Sequence, residues 1–320
     1  MTLPKVFQAL GMTTRVFQAP IGGIASAELA AAVSDAGGLG HLACTWRSPQ
    51  QLSALFEKMR RLTAKPFAAN FVLDFPVDAQ IEVALSHKVG AVSFFWGDGA
   101  RFVESVAASG AVSIQVVGSV EEAKRAAGAG FDLIVAQGYE AGGHVYGDTG
   151  LFALLPQVVD GVAPIPVLAA GAIADARGVR AALALGAEGV WVGTRFLCSK
   201  EANIHPIYRD KLLSASAGDT IYSKLFDIGW PAAPLRSLRN TTTRDWLAAA
   251  RPSAPNRPRE GEIIARRADG SGIPRYHFGS PTSDVTGNAE AMALYAGQGV
   301  GLVQSVSSAA EIVCELAGDT

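Results

Sequence analysis

A single histidine, His144, lies in the stretch VAQGYEAGGHVYGDTG (135–150), in company with Gly138, Gly142, Gly143, Gly147 and Gly150. A loop so rich in glycine loses more conformational entropy on folding than ordinary chain, so something must be gained from it. Backbone at Gly142 and Gly143 can come close to a flat ring. An imidazole with an ordinary pKa of about 6.5 can accept a proton at neutral pH. His144 is therefore the candidate catalytic base. His41, His87, His205 and His277 lie outside such a loop and read as structural or surface residues.

Two further turns have the chemistry to hold an anion. LAAGAIAD (168–175) and VGTRF (192–196) place Gly171, Ala172, Gly193 and Thr194 just before helix-like segments. Backbone N–H groups at such positions, helped by the helix dipole, bind phosphate, and glycine lets the anion come close. The ends of other apolar runs contribute Pro20, Ile21 and Gly22, and the amides of Asn70, Gln115 and Gln137. This set is nearly free of charge. It has no carboxylate pair for glycoside cleavage, no HExxH, no His and Asp cluster for a metal, and no local hydrolase signature. A neutral, amide-lined mouth beside a phosphate site suits flavin mononucleotide (FMN), with Gly142 and Gly143 against its ring.

The elements that must position these groups alternate regularly. Near-continuous apolar runs at 16–21, 39–44, 67–73, 91–97, 113–118, 133–138, 166–171 and 189–194 read as parallel strands covered on both faces. Helix signals separate them. Ser48 as N-cap with Pro49 and Gln51 opens one segment, Ser119 with Glu122 reads as a capping box for another, and Asp175 and Gly186 bound a third. Eight strand–helix units in about 200 residues predict an α/β fold, a (β/α)8 TIM barrel, whose site forms at the C-terminal strand ends. Residues 1–202 read as the barrel. Residues 203–285 read as a mostly helical or irregular insertion, either a lid over the mouth or a solvated connector. Residues 286–320 read as C-terminal helices that return to the barrel.

With 320 residues, 49% of them hydrophobic and 18% charged, the chain can bury a large core. A net charge of −2 without Lys/Arg runs predicts no nucleic-acid partner, and no apolar stretch is long enough to predict a membrane span. Cys44, Cys198 and Cys314 form no CxxC pair. Disulfides and zinc are therefore not expected, the N-terminus shows no signal pattern, and a cytoplasmic location is predicted.

The segments QAPIGGIASAELAAAVSDAGGLG, FAANFVL, VAQGYEAGGH, PVLAAGAIADARGVRAALALGAEGVWVGTRFL and AGQGVGL resemble nitronate monooxygenases, also called 2-nitropropane dioxygenases. The likeness runs in order through 16–200 and again at 296–317. It implies an FMN-dependent barrel that oxidises alkyl nitronates, and nitroalkanes, with O2 to a carbonyl compound and nitrite, through a flavin semiquinone and without metal. His144 maps onto the family's proposed base. Pro20, Asn70, Gln137, Gly171, Gly193, Thr194 and Gln298 map onto flavin-contacting positions. The chain departs from the family at Val145–Tyr146, where a basic residue is common, and at Ile21, where methionine is common. Flavin-dependent enoyl-acyl-carrier reductases and NADH:quinone reductases share much of this motif set, so an NAD(P)H-dependent reductase is the alternative. A non-enzymatic barrel that binds a phosphorylated ligand is a second one. Oligomeric state, a homodimer included, stays open at this level.

Overall fold

The computed structural model describes residues 2–318. Eight parallel strands, β1 (Val16–Gln18), β2 (His41–Ala43), β3 (Ala68–Val72), β4 (Ala91–Phe95), β5 (Val112–Val117), β6 (Leu133–Gln137), β7 (Val167–Ala170) and β8 (Gly189–Val192), pair in chain order, with β8 beside β1. The remaining gap closes just before β2. There the Gln18 N–H donates to Leu39 O at 3.0 Å, and the Leu39 N–H donates to Val16 O at 3.0 Å. The predicted TIM barrel is present.

Side chains alternate along each strand, so one residue in two faces the barrel axis. Phe17, Ala68, Ala91, Ile114, Val116, Leu133, Val135, Leu168, Ala170 and Trp191 pack into one interior cluster. The short helix Lys5–Ala9 completes it from below, with the Phe7 ring centroid 5.0 Å from that of Phe17. The outward-facing positions pack against the surrounding helices in a larger cluster.

Helix starts follow local chemistry. The Ser48 hydroxyl accepts from Gln51 N–H at 3.2 Å, and the Gln51 side chain accepts from Ser48 N–H at 2.9 Å, which is a full capping box. Ser119 accepts from Glu122 N–H at 3.2 Å, but the Glu122 carboxylate accepts from Gly118 N–H at 2.7 Å instead of from Ser119. The reciprocal half of the expected box is thus moved back one residue. Asp175 caps Ala176–Ala184, and Gly186 stops that segment at φ +96°.

The segment 203–285 carries the helices Pro206–Ser214 and Thr241–Ala248, as the helical pattern suggests. It also carries strands that the pattern does not show. Thr220–Ser223 pairs with Leu235–Leu238, and that strand pairs with Gly143–His144. Ile263–Arg266 pairs with Gly272–Pro274 and with Thr286–Gly287. The run NAEAMALYAGQGVGLV forms two 3-10 turns, at Ala289–Ala291 and Gln298–Leu302, where α-helix is expected. Three glycines in its second half favour the tighter, extended path. A helix at Ala309–Ala317 then docks on the barrel exterior, where buried Ile312, Val313 and Leu316 join the outer core. No described helix is long and apolar enough to cross a membrane.

Candidate active site

At the C-terminal strand ends lies a cavity of about 490 Å3. It brings together Pro20, Ile21, Gly22, Asn70, Gln137, Gly142, Gly143, His144, Gly171, Ala172, Gly193 and Thr194. Two expected residues do not line it. Gln115 falls on the outward parity of β5, between the inward Ile114 and Val116. Its side-chain oxygen accepts from Gly99 N–H at 3.1 Å and its amide donates to Gly97 O at 3.0 Å, so it braces the loop after β4. Gln298 lies behind the wall, where its N–H donates to Glu140 O at 2.9 Å. Its neighbours reach the cavity instead. Gly297 N–H donates to Thr194 Oγ1 at 3.0 Å, and Gly299 packs against the Ala172 carbonyl, 2.4 Å from where a Cβ would stand.

The long loop after β6 is ordered by its own contacts. Tyr139 N–H donates to Thr149 O at 2.9 Å, and the Glu140 carboxylate accepts from Leu151 N–H at 2.8 and 3.1 Å. That carboxylate caps the helix Leu151–Val162, whose N-cap Gly150 has no side chain to do so. Gln137 donates to His144 O at 3.2 Å, while its own side-chain oxygen is buried without a partner.

His144 faces an aromatic wall that comes largely from distant chain. Its ring centroid lies 3.9 Å from that of Trp230, 5.5 Å from Tyr295 and 6.3 Å from Phe278. Trp230 is held there by its indole N–H, which donates to Asp74 Oδ2 at 2.8 Å. Nε2 of His144 is buried with no hydrogen-bond partner among the described residues. Burial pushes its pKa down to about 3, because there is no nearby group to compensate a charged ring. Val145 is fully buried, and Tyr146 lines a separate hollow with Trp96 and Glu122, one layer behind. Cys44 is buried and its thiol is pushed up to about 12, which removes it as a nucleophile.

The turns after β7 and β8 meet the demands of a phosphate. Gly171 has φ +127° and Ala172 has φ +53°, a left-handed conformation that is costly for alanine and turns the peptide units there. The N–H groups of Gly171, Ala172, Gly193 and Thr194 donate to no group among the described residues. Asn70 spends its amide N–H on Ser93 Oγ at 2.9 Å, and its side-chain oxygen accepts no hydrogen bond among the described residues. Free donors on two turns, with free acceptors on Asn70 and Gln137, fit a flat heterocycle carrying a phosphate.

Buried neutral histidines make the fold acid-sensitive. His41, inside the barrel, and His144 both have folded pKa values of about 3, below the unfolded value of about 6.5. Between those values the unfolded chain binds protons that the folded chain does not, so stability rises with pH and is lost as pH falls. Each histidine contributes a slope of about 1.4 kcal/mol per pH unit in that window. The fall in Tm between pH 7 and pH 4.5 is expected to be smaller in His144→Asn than in the unaltered protein, by calorimetry; equal falls would contradict the assignment.

The fold and site define a (β/α)8 barrel enzyme with a cofactor cavity at its mouth. The family description for nitronate monooxygenase matches residues 5–79 and 75–319, and the chain belongs to that family of flavin-dependent oxidoreductases. A probable nitronate monooxygenase of Bacillus subtilis is 36% identical over 69% of this chain and 76% of its own length. A Mycobacterium tuberculosis relative, 31% identical over 96% of this chain and 92% of its own, is named (3aS,4S,5R,7aS)-5-hydroxy-7a-methyl-1-oxo-octahydro-1H-indene-4-carboxyl-CoA dehydrogenase. Among solved structures, FabK from Thermotoga maritima has a TM-score of 0.84 at 31% identity, over 99% of this chain and 95% of that one. A nitroalkane oxidase from Streptomyces ansochromogenes has a TM-score of 0.79 at 27% identity, over 98% and 96%.

Sequence reading missed Trp230, Phe278 and Tyr295, and it left His277 as a structural or surface residue although that side chain lines the cavity. His277 and Phe278 lie where the sequence has little periodicity, and Trp230 and Tyr295 lie in stretches that read as helical but form no helix there. The aromatic spacing in HFG and LYAG is the only local hint.

Proposed function

We propose that this chain oxidises alkyl nitronates, and nitroalkanes after loss of a proton to His144, with O2 on FMN, giving a carbonyl compound and nitrite. The observation that carries this reading is the buried, unpartnered Nε2 of His144 in a cavity whose phosphate-type turns are also unpartnered. Gly171, Ala172, Gly193 and Thr194 hold the FMN phosphate, and Asn70 and Gln137 accept from its ring. When bound, the flavin supplies the redox chemistry between nitronate and O2.

The protein's own part is a proton and a dry wall. His144 is neutral at physiological pH and free to accept the proton on the carbon next to the nitro group. At a pKa of about 3 the resting imidazole is a weak base. Negative charge growing on the nitro oxygens beside it favours the imidazolium, and so strengthens the base as the proton moves. Trp230, Tyr295 and Phe278 exclude water from that pair, which strengthens their attraction.

The full-length dehydrogenase relative favours a second reading, an NAD(P)H-linked flavin enzyme acting on a thioester. Anaerobic mixing of the flavin-loaded protein with a nitronate, and separately with NADH, decides between them. A nitronate-dependent change in the flavin spectrum is expected. Full two-electron bleaching by NADH with no response to nitronate would overturn the first reading.

A further inference from the structure

Two arginines line the same cavity without a carboxylate partner. Arg47, in the loop after β2, makes no side-chain hydrogen bond or ion pair among the described residues. Arg267, on the hairpin of the inserted segment, touches only Ser271 Oγ and His277 Nε2, each at 3.3 Å.

The contact with His277 cannot be an ordinary hydrogen bond. Gly279 N–H donates to His277 Nδ1 at 2.8 Å, so Nδ1 carries no proton. The neutral ring must then carry its proton on Nε2, and the ring stays neutral because burial and Arg267 together push its pKa down to about 4. A guanidinium N–H and an imidazole N–H therefore converge at 3.3 Å with no acceptor between them. Two carboxylates lie nearby and neither forms an ion pair with Arg267 among the described residues: Asp284 accepts from Thr282 Oγ1 at 2.6 Å, and Asp269, which feels the Arg267 charge from solvent, accepts from Ser271 N–H at 2.9 Å. Converging donors backed by an unpaired cation are the arrangement that binds oxyanions in charge-assisted hydrogen bonds.

We propose that the solvent-facing end of this cavity is a subsite for an oxyanion, a carboxylate or phosphate carried by a reactant, bound by Arg267 and His277 Nε2–H with Arg47 adding charge. The proposal rests on the reading of the cavity as the reactant's binding place. The anion belongs either to a tail on the nitronate or to a nicotinamide dinucleotide. Both sources share this chemistry.

The test titrates the flavin-loaded protein with inorganic phosphate by calorimetry, so that the flavin's own phosphate turns are already filled. Arg267→Gln is expected to weaken binding about ten-fold or more, Arg47→Gln by a smaller factor, and Arg267→Lys by less than the glutamine change. Added salt should weaken binding to the unaltered protein more than to Arg267→Gln. No phosphate binding, or binding within about two-fold of the unaltered protein in Arg267→Gln, overturns the subsite. Kinetics then tell the source. Loss in Arg267→Gln of a preference for the nitronate of 4-nitrobutanoate over that of 1-nitrobutane assigns the anion to the substrate. Loss of a preference for NADH over 1-benzyl-1,4-dihydronicotinamide assigns it to the dinucleotide. If the unaltered protein turns over neither nitronate, the oxidation reading fails while the phosphate titration still judges the subsite.

Discussion

Replacing His144 with asparagine is expected to lower kcat/KM for neutral nitroalkanes by about 10²–10⁴-fold, the usual worth of a positioned general base. Preformed nitronates have already lost the proton and should suffer less than about ten-fold. Asparagine keeps a polar group of similar reach beside Trp230, and the turns proposed to hold the phosphate lie on other strands. The visible spectrum of the loaded protein should therefore be retained. The pH dependence sharpens the test. A base with a pKa of about 3 leaves no acid limb near pH 6.5 in the nitroalkane profile of the unaltered protein. Equal loss on nitroalkane and nitronate would remove the assignment of His144 as base.

Gly142→Ala should be far more damaging than Gly143→Ala, although the two glycines are adjacent. A Cβ at Gly142 would stand 2.4 Å from Gly297 N and 2.5 Å from Ala296 C, both backbone atoms that no rotamer change can move. Overpacking of this kind costs about 3 kcal/mol, and the strand of chain it displaces supports Thr194 and Ala172. Flavin affinity should fall along with Tm. A Cβ at Gly143 meets no protein atom within 4 Å, so the cost to folding there is the left-handed backbone at φ +75°, about 1 kcal/mol. Flavin titration and thermal unfolding of the two variants check this. A Tm of Gly142→Ala as high as that of Gly143→Ala would mean that the contact between residues 142 and 296–297 is not tight.

The barrel was legible because its rules are local. Each apolar run matched a strand to within a few residues, and Ser48, Asp175 and Gly186 marked their helix ends. The phosphate-type turns were legible for the same reason: glycine at a strand end is visible in one short window. Gln115 shows the limit of that reasoning. It lies in β5 two residues short of the end, where Gln137 is the last residue of β6, and the two-residue period turns it outward; a boundary uncertain by one residue cannot fix parity. The aromatic wall was not legible at all. Trp230 meets His144 across 86 positions of chain, in a stretch that reads as helical but forms no helix at that residue, and only tertiary packing joins them.

Glu140 has a consequence for how the cavity opens. Its carbonyl holds residue 298 and its carboxylate holds residue 151, so three positions far apart in sequence can leave their places only together. The wall that carries His144 is therefore a fixed jamb. The Trp230 side is tied to that jamb: Val145 N–H donates to Pro234 O at 3.0 Å, Ile228 N–H donates to Tyr276 O at 3.1 Å, and the buried Trp230 packs against Phe75, Trp96 and Phe278. Amide hydrogen exchange should show Leu151, Gln298 and Val145 exchanging only with opening of the whole barrel. His144, the proposed base, is thereby held from both sides, by the Glu140 bonds on one and by the strand Leu235–Leu238 on the other.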